Sequence, residues 1–127
     1  VNGEKAITDY RDLDVWKYAM DLSVEIYRIT SAYPREEQFG LVSQMRRSSV
    51  SIPSNIAEGF GRETTQAFIQ FLRISQGSLK ELETQILLSR RLEFIKEQEA
   101  GHLLGQSTRI GKMLNGLIRK LIGRKDR

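Results

Sequence analysis

A chain of 127 residues with 39% apolar and 28% charged residues, two prolines and no cysteine has an ordinary globular composition, long enough to bury about two thirds of its unfolded surface without a staple. The missing cysteines exclude a disulfide framework, a Cys-based zinc site and a thiol nucleophile. The net charge of +4 is unevenly placed: residues 1–99 carry 13 Lys+Arg against 15 Asp+Glu, net −2, whereas residues 100–127 carry 7 Lys+Arg and Asp126 alone, net +6.

The chain opens on a polar stretch, Val1 to Lys5, whose lack of an initiator Met is expected from processing or trimming. No apolar run approaches the roughly 18–20 residues of a membrane span, so a cytoplasmic location with no membrane partner is expected. The first predicted helix covers about residues 13–32, on Val15, Ala19, Leu22, Ile26, Ile29 and Tyr33, with Leu13, Trp16, Met20 and Tyr27 widening the stripe; Tyr33-Pro34 ends it. The second, about 38–60, carries Val42, Met45, Ser49, Ile52, Ile56 and Gly59 and stops at Gly59-Phe60-Gly61. Pro53 lies inside it, removes a backbone donor and is expected to kink it. Thr64 is the expected N-cap of the third helix, about 64–91, which carries Phe68, Leu72, Ser75, Leu79, Leu82, Ile86 and Ser89. After a turn over Arg91 to Lys96, the fourth, about 96–122, follows Ala100, Leu103, Ser107, Ile110, Leu114, Leu117 and Leu121; Gly123 to Arg127 are expected to fray.

These 26 stripe positions hold four serines and no charged residue. Short connections between such helices predict a single all-α domain over residues 1–127, an antiparallel up-down-up-down four-helix bundle with a kinked second helix. Gly77, Gly105, Gly111 and Gly116, each costing about 1 kcal/mol inside a helix, are expected where another backbone approaches, within the bundle or between subunits.

The run Arg46-Arg47-Ser48-Ser49-Val50-Ser51-Ile52-Pro53-Ser54-Asn55-Ile56-Ala57-Glu58-Gly59-Phe60-Gly61-Arg62 closely resembles the signature of the 23S rRNA intervening-sequence proteins, the four-helix bundle protein family. The block Phe71 to Glu83 and the opening Tyr10-Arg11-Asp12-Leu13-Asp14-Val15-Trp16 are similar to that family's other conserved stretches, so the resemblance covers about residues 10–95. At Ala67 the chain departs from the acidic residue that would complete a capping box with Thr64. The resemblance implies an all-helical protein that assembles into a ring, a homopentamer, with a poorly defined activity. The family's name, from members encoded within ribosomal RNA gene insertions, and a wider fold likeness to nucleic-acid-binding accessory proteins of retroelements imply RNA or another nucleic acid as partner.

Two constellations are candidates for function. Arg47, Ser51, Asn55, Glu58 and Arg62 recur every three or four residues and form one polar stripe on the second helix. Such a stripe can fix a subunit interface, with Arg47, Ser51, Asn55, Glu58 and, on the third helix, Gly77 as its residues; it can contact phosphate through Arg46, Arg47 and Arg62; catalysis is the remaining reading, with no nucleophile beside an obvious base. The second constellation is the basic C-terminal stripe, Arg109, Lys112, Arg119, Lys120, Arg124 and Lys125, which suits RNA, an anionic membrane or an acidic protein. Cations at a helix C-terminus also oppose its dipole and keep its surface solvated.

Catalytic and metal readings lack their parts. Glu99 and His102 form a Glu-x-x-His pair, but a di-iron site needs two and His102 is the only histidine. Glu81 and Glu83 diverge on a helix, and Gly59-Phe60-Gly61 lacks the Lys and preceding strand of a phosphate loop. The expectation is a non-enzymatic homo-oligomer with no cofactor and no metal, binding RNA or other nucleic acid; the alternative is a scaffold that recruits an acidic protein.

Overall fold

The computed structural model describes residues 7–124. Among them are four α-helices and no strand: α1 Asp14–Thr30, α2 Leu41–Phe60, α3 Thr65–Arg91 and α4 Glu97–Arg124, with 3-10 helices at Tyr10–Asp12 and Arg35–Glu37. The expected all-helical, four-helix content is therefore present. α2 packs against α1 and α3, and α4 against α3 and α1, so the four helices share one core. Of the 26 stripe positions, all are buried except Ile29, Phe68 and Leu117, which are half-buried. Leu22 and Ile26 from α1, Ile52 and Ile56 from α2, Leu72 and Ile86 from α3, and Ile110 and Leu114 from α4 are fully sealed.

The four serines of the stripes, all buried, give the core polar joints, since a buried hydroxyl without a partner is costly. Ser75 donates to the Ile52 carbonyl across the α2–α3 seam (2.9 Å), and Ser89 contacts the Met45 sulfur (3.4 Å). Ser107 on α4 donates to the Glu83 carboxylate on α3. Ser49 returns its proton to the Arg46 carbonyl within α2. Small polar residues thus let the helices meet without orphaning a donor.

α2 is helical on both sides of Pro53, whose ring nitrogen cannot bond the Ser49 carbonyl one turn back. The Ser23 hydroxyl of α1 lies 2.9 Å from that carbonyl and 3.1 Å from its own Ala19 carbonyl, and at the shorter distance it supplies the missing donor. Gly59 is required by a close approach: a Cβ there would lie 2.6 Å from Phe71 Cβ and 3.0 Å from Phe68 Cδ1 on α3. The other helical glycines have no such reason inside the chain. Nothing lies within 4 Å of a Cβ built at Gly77, Gly105 or Gly116, and Gly111 would make only an ordinary contact with Leu79. The expected approach of a backbone within the bundle is therefore corrected at these positions.

Helix ends differ from expectation where local hydrogen bonds decide. α1 stops at Thr30, and α2 begins at Leu41 rather than near residue 38, because Arg35–Glu37 forms a 3-10 turn and the Glu37 carboxylate accepts the Leu41 N–H (3.1 Å). Thr64 caps α3 as expected, its hydroxyl accepting the Ala67 N–H (3.1 Å). α3 ends with Glu93 in the left-handed region (φ 65°), Phe94 N–H bonding the Ser89 carbonyl (2.9 Å) and Glu93 N–H the Arg90 carbonyl (3.0 Å). α4 continues through Gly123 and Arg124, so those two residues are helical rather than frayed.

Candidate nucleic-acid interface

α4 turns its apolar side inward through Ala100, Leu103, Ser107, Ile110, Leu114, Ile118 and Leu121, which fixes what its opposite side presents. Arg109, Lys112, Arg119, Lys120 and Arg124 are all exposed. At 3.6 residues per turn they fall within roughly 140° of arc, over about 22 Å of helix length. From Ala100 to Arg124 the helix carries no acidic residue. Lys112, Arg119, Lys120 and Arg124 make no ion pair or side-chain hydrogen bond among the described residues; Lys125 lies outside them. An uncompensated row of this kind attracts polyanions through the potential it projects and the counterions it releases.

Arg109 differs from its neighbours. Its guanidinium lies over the Tyr18 ring of α1 (4.2 Å to the centroid) and Nη2 donates to the Tyr18 hydroxyl (3.0 Å), so it pins α4 to α1. The cations of α2 divide likewise. Arg46 donates through Nε to Thr30 Oγ1 (3.0 Å) and through Nη2 to the Tyr27 carbonyl (3.2 Å), and it covers the Tyr27 ring at 4.5 Å. Arg62 pairs with Glu58 (3.1 Å) and stacks on Phe71 (4.7 Å). Arg47 alone of the three makes no such contact and is exposed.

The rest of the α2 polar stripe closes mostly on itself. Ser51 shares a hydrogen bond with Ser78 of α3 (2.8 Å), and Asn55 Nδ2 donates to the Ser51 carbonyl (2.8 Å) and hydroxyl (3.0 Å) within α2. Ser51 therefore joins helices inside one chain. Gly77, assigned with them to an interface, lies on the exposed side of α3 with open space around it.

The Glu99 carboxylate accepts the Lys96 N–H (3.0 Å) and so caps α4, leaving His102 exposed one turn on. Among the described residues no group of three or more His, Asp or Glu side chains is arranged to hold a metal ion, and no helix is long and apolar enough to cross a membrane. Asp9 is held down to about 2 because the Arg11 guanidinium and backbone N–H both donate to it, an exposed local pair at the N-terminal 3-10 turn.

One surface escaped sequence reasoning altogether. Met20 and Tyr27, assigned to a widened core stripe of α1, are 40% and 45% exposed and line an apolar groove between α1 and α2. The signal was available in the width of that stripe, which exceeds what one core needs. Phe39, in the turn before α2, is 92% exposed and carried no periodic signal.

The comparisons with known proteins concern the fold and the family. A family model described as 23S rRNA-intervening sequence protein matches residues 11–116. The chain is similar to a solved structure from Bacteroides thetaiotaomicron, a protein of unknown function from the S23 ribosomal protein family, at 27% identity and a TM-score of 0.74. That similarity covers 82% of this chain and 97% of the other. No curated protein matches.

Proposed function

The chain belongs to the 23S rRNA-intervening sequence protein family, and from that premise we propose that it is a non-enzymatic, homo-oligomeric helical protein that binds RNA along the outer face of α4. The observation that carries the reading is the row Lys112, Arg119, Lys120 and Arg124, exposed, unpaired among the described residues and with no acid between Ala100 and Arg124. Phosphate contacts ask for no more than this: several cations on one face, spaced along a rigid element. Arg47 adds one further free cation on α2. In a ring of copies, a pentamer as the family resemblance implies, the +6 C-terminal segment is repeated and a modest stripe becomes a large cationic surface.

The same proposal includes the finer architecture and setting. The helices run up-down-up-down, supported by connections of four to ten residues, and α2 bends at Pro53, supported by the Ser49 carbonyl turning to the Ser23 hydroxyl. The protein works in the cytoplasm, where RNA is found.

The test replaces Arg119, Lys120, Arg124 and Lys125 together by Glu. Affinity for a structured RNA and the slope of log affinity against log salt should both fall, the slope by about 3 for each copy engaged, while helicity is unchanged. Unchanged RNA affinity in that variant overturns the α4 assignment. Equal affinity for an acidic peptide, with RNA bound no better, would transfer the surface to an acidic protein partner.

A further inference from the structure

The corner where α1 gives way to α2 holds a second cavity, of about 480 Å³, lined only by residues between Thr30 and Arg46 and so distinct from the α4 row. Sites for small ligands run from about 300 to 1,000 Å³. Two arginines, Arg35 and Arg46, and the Gln38 amide line it, and no carboxylate among the described residues does.

Arg46 is the fixed element. Half-buried, it donates through Nε to Thr30 Oγ1 (3.0 Å) and through Nη2 to the Tyr27 carbonyl (3.2 Å), and its guanidinium covers the Tyr27 ring at 4.5 Å. All of these partners are neutral, so the side chain is held in place while its charge stays uncompensated. Nη1 makes no hydrogen bond among the described residues. A cation braced in this way has already lost the rotamer freedom that a ligand would otherwise have to freeze.

The surroundings do not cancel that charge. The last carbonyls of a helix repel an anion, but here Ile26 accepts from Thr30 Oγ1 (2.6 Å) and Tyr27 from Ser31 Oγ (2.9 Å) as well as from Arg46. Arg35 and Gln38 are exposed, and neither side chain has an ion pair or hydrogen bond among the described residues. Of the acids in the same turn, Glu37 is engaged with the Leu41 N–H (3.1 Å), and Glu36 does not line the cavity.

We propose that this corner binds a terminal phosphate group, with Arg46 Nη1, the Arg35 guanidinium and the Gln38 amide as its donors. The donor set selects phosphate over carboxylate. A carboxylate pairs best with one guanidinium fork, and the Nε and Nη2 donors of Arg46 are already taken by Thr30 and Tyr27. Single donors from three residues suit the three acceptor oxygens of a phosphomonoester, and two guanidinium charges match its charge of about −1.5 to −2 at pH 7. That group is carried by a small phosphomonoester or by the 5′ end of an RNA strand. The site stands whether or not α4 binds RNA.

The test follows the backbone amide NMR spectrum of the wild-type protein as inorganic phosphate replaces chloride at constant ionic strength. Amides of residues 30–46 should shift and saturate, and acetate should not move them. Arg35→Ala, at an exposed position, should weaken phosphate binding about tenfold with the melting curve unchanged, as loss of one charge-assisted hydrogen bond implies. The variant carrying four Glu substitutions on α4 and beyond should keep the shifts, which separates a failure here from a failure of the α4 assignment. Matching shifts with AMP assign a small phosphomonoester; shifts with a 5′-phosphorylated RNA but not with the same strand bearing a 5′-hydroxyl assign an RNA end. Either result supports the site. No saturable shift, shifts undiminished in Arg35→Ala, or shifts reproduced by acetate overturn it.

Discussion

Pro53 and Ser23 show how one residue's deficit is met by another 30 positions away in the chain. The Ser49 carbonyl, deprived of its usual donor, accepts from Ser23 Oγ at 2.9 Å. Ser23→Ala should cost about 1–2 kcal/mol in the natural background, because a buried carbonyl is left unpaired. The same change should cost clearly less beside Pro53→Ala, where a backbone N–H returns; denaturant titrations of the four proteins measure that coupling. Tyr33 illustrates the opposite case. It is 7% exposed, and its hydroxyl has no hydrogen-bond partner. Burial pushes the phenol above its ordinary value of 10.0. The unfolded chain therefore ionises first as pH rises, and the stability held below about pH 10 is lost as pH climbs through the folded value. Tyr33→Phe should leave stability at pH 7 unchanged or raised by about 1 kcal/mol and should flatten its alkaline decline, read from melts between pH 8 and 11.

At the scale of helices, what could be read from the sequence followed from what each end is made of. Period-3.6 apolar spacing located all four helices, because each has one face to bury, and Thr64 announced the start of α3 through a capping chemistry few residues share. The end of α3 was uncertain in sequence because its left-handed residue is Glu93, where such a cap ordinarily shows a glycine. Glu93→Gly should stabilise the protein by about 0.5–1 kcal/mol, as relief of the left-handed strain outweighs the added freedom of the unfolded chain; a rise in melting temperature checks it. The 3-10 turns at Tyr10–Asp12 and Arg35–Glu37 were illegible for a different reason: three residues carry no periodicity, and side-chain bonds such as Glu37 to Leu41 N–H set them. Among the candidate site residues, sequence grouped Arg46, Arg47 and Arg62 alike by spacing and charge. Spacing cannot show that Tyr27 and Phe71 lie under two of them and leave Arg47 alone.

The whole molecule divides its surface by charge and polarity. Apolar residues gather between α1 and α2, the polar seam between α2 and α3 closes through Ser51 and Ser78, and α4 from Arg109 to Arg124 exposes five cations and no acid. The overall +4 of the sequence is thus a nearly neutral body with a cationic edge. In the proposed oligomer the cationic edge is repeated from copy to copy. The measurement that bears most directly on this account is the affinity of the wild-type protein for a structured RNA across a series of salt concentrations. The seven cations of residues 100–127 in a single chain allow a slope of log affinity against log salt no steeper than about −6. The account predicts a linear fall with a slope steeper than that, because several copies present α4 together; an affinity that does not change with salt would contradict it.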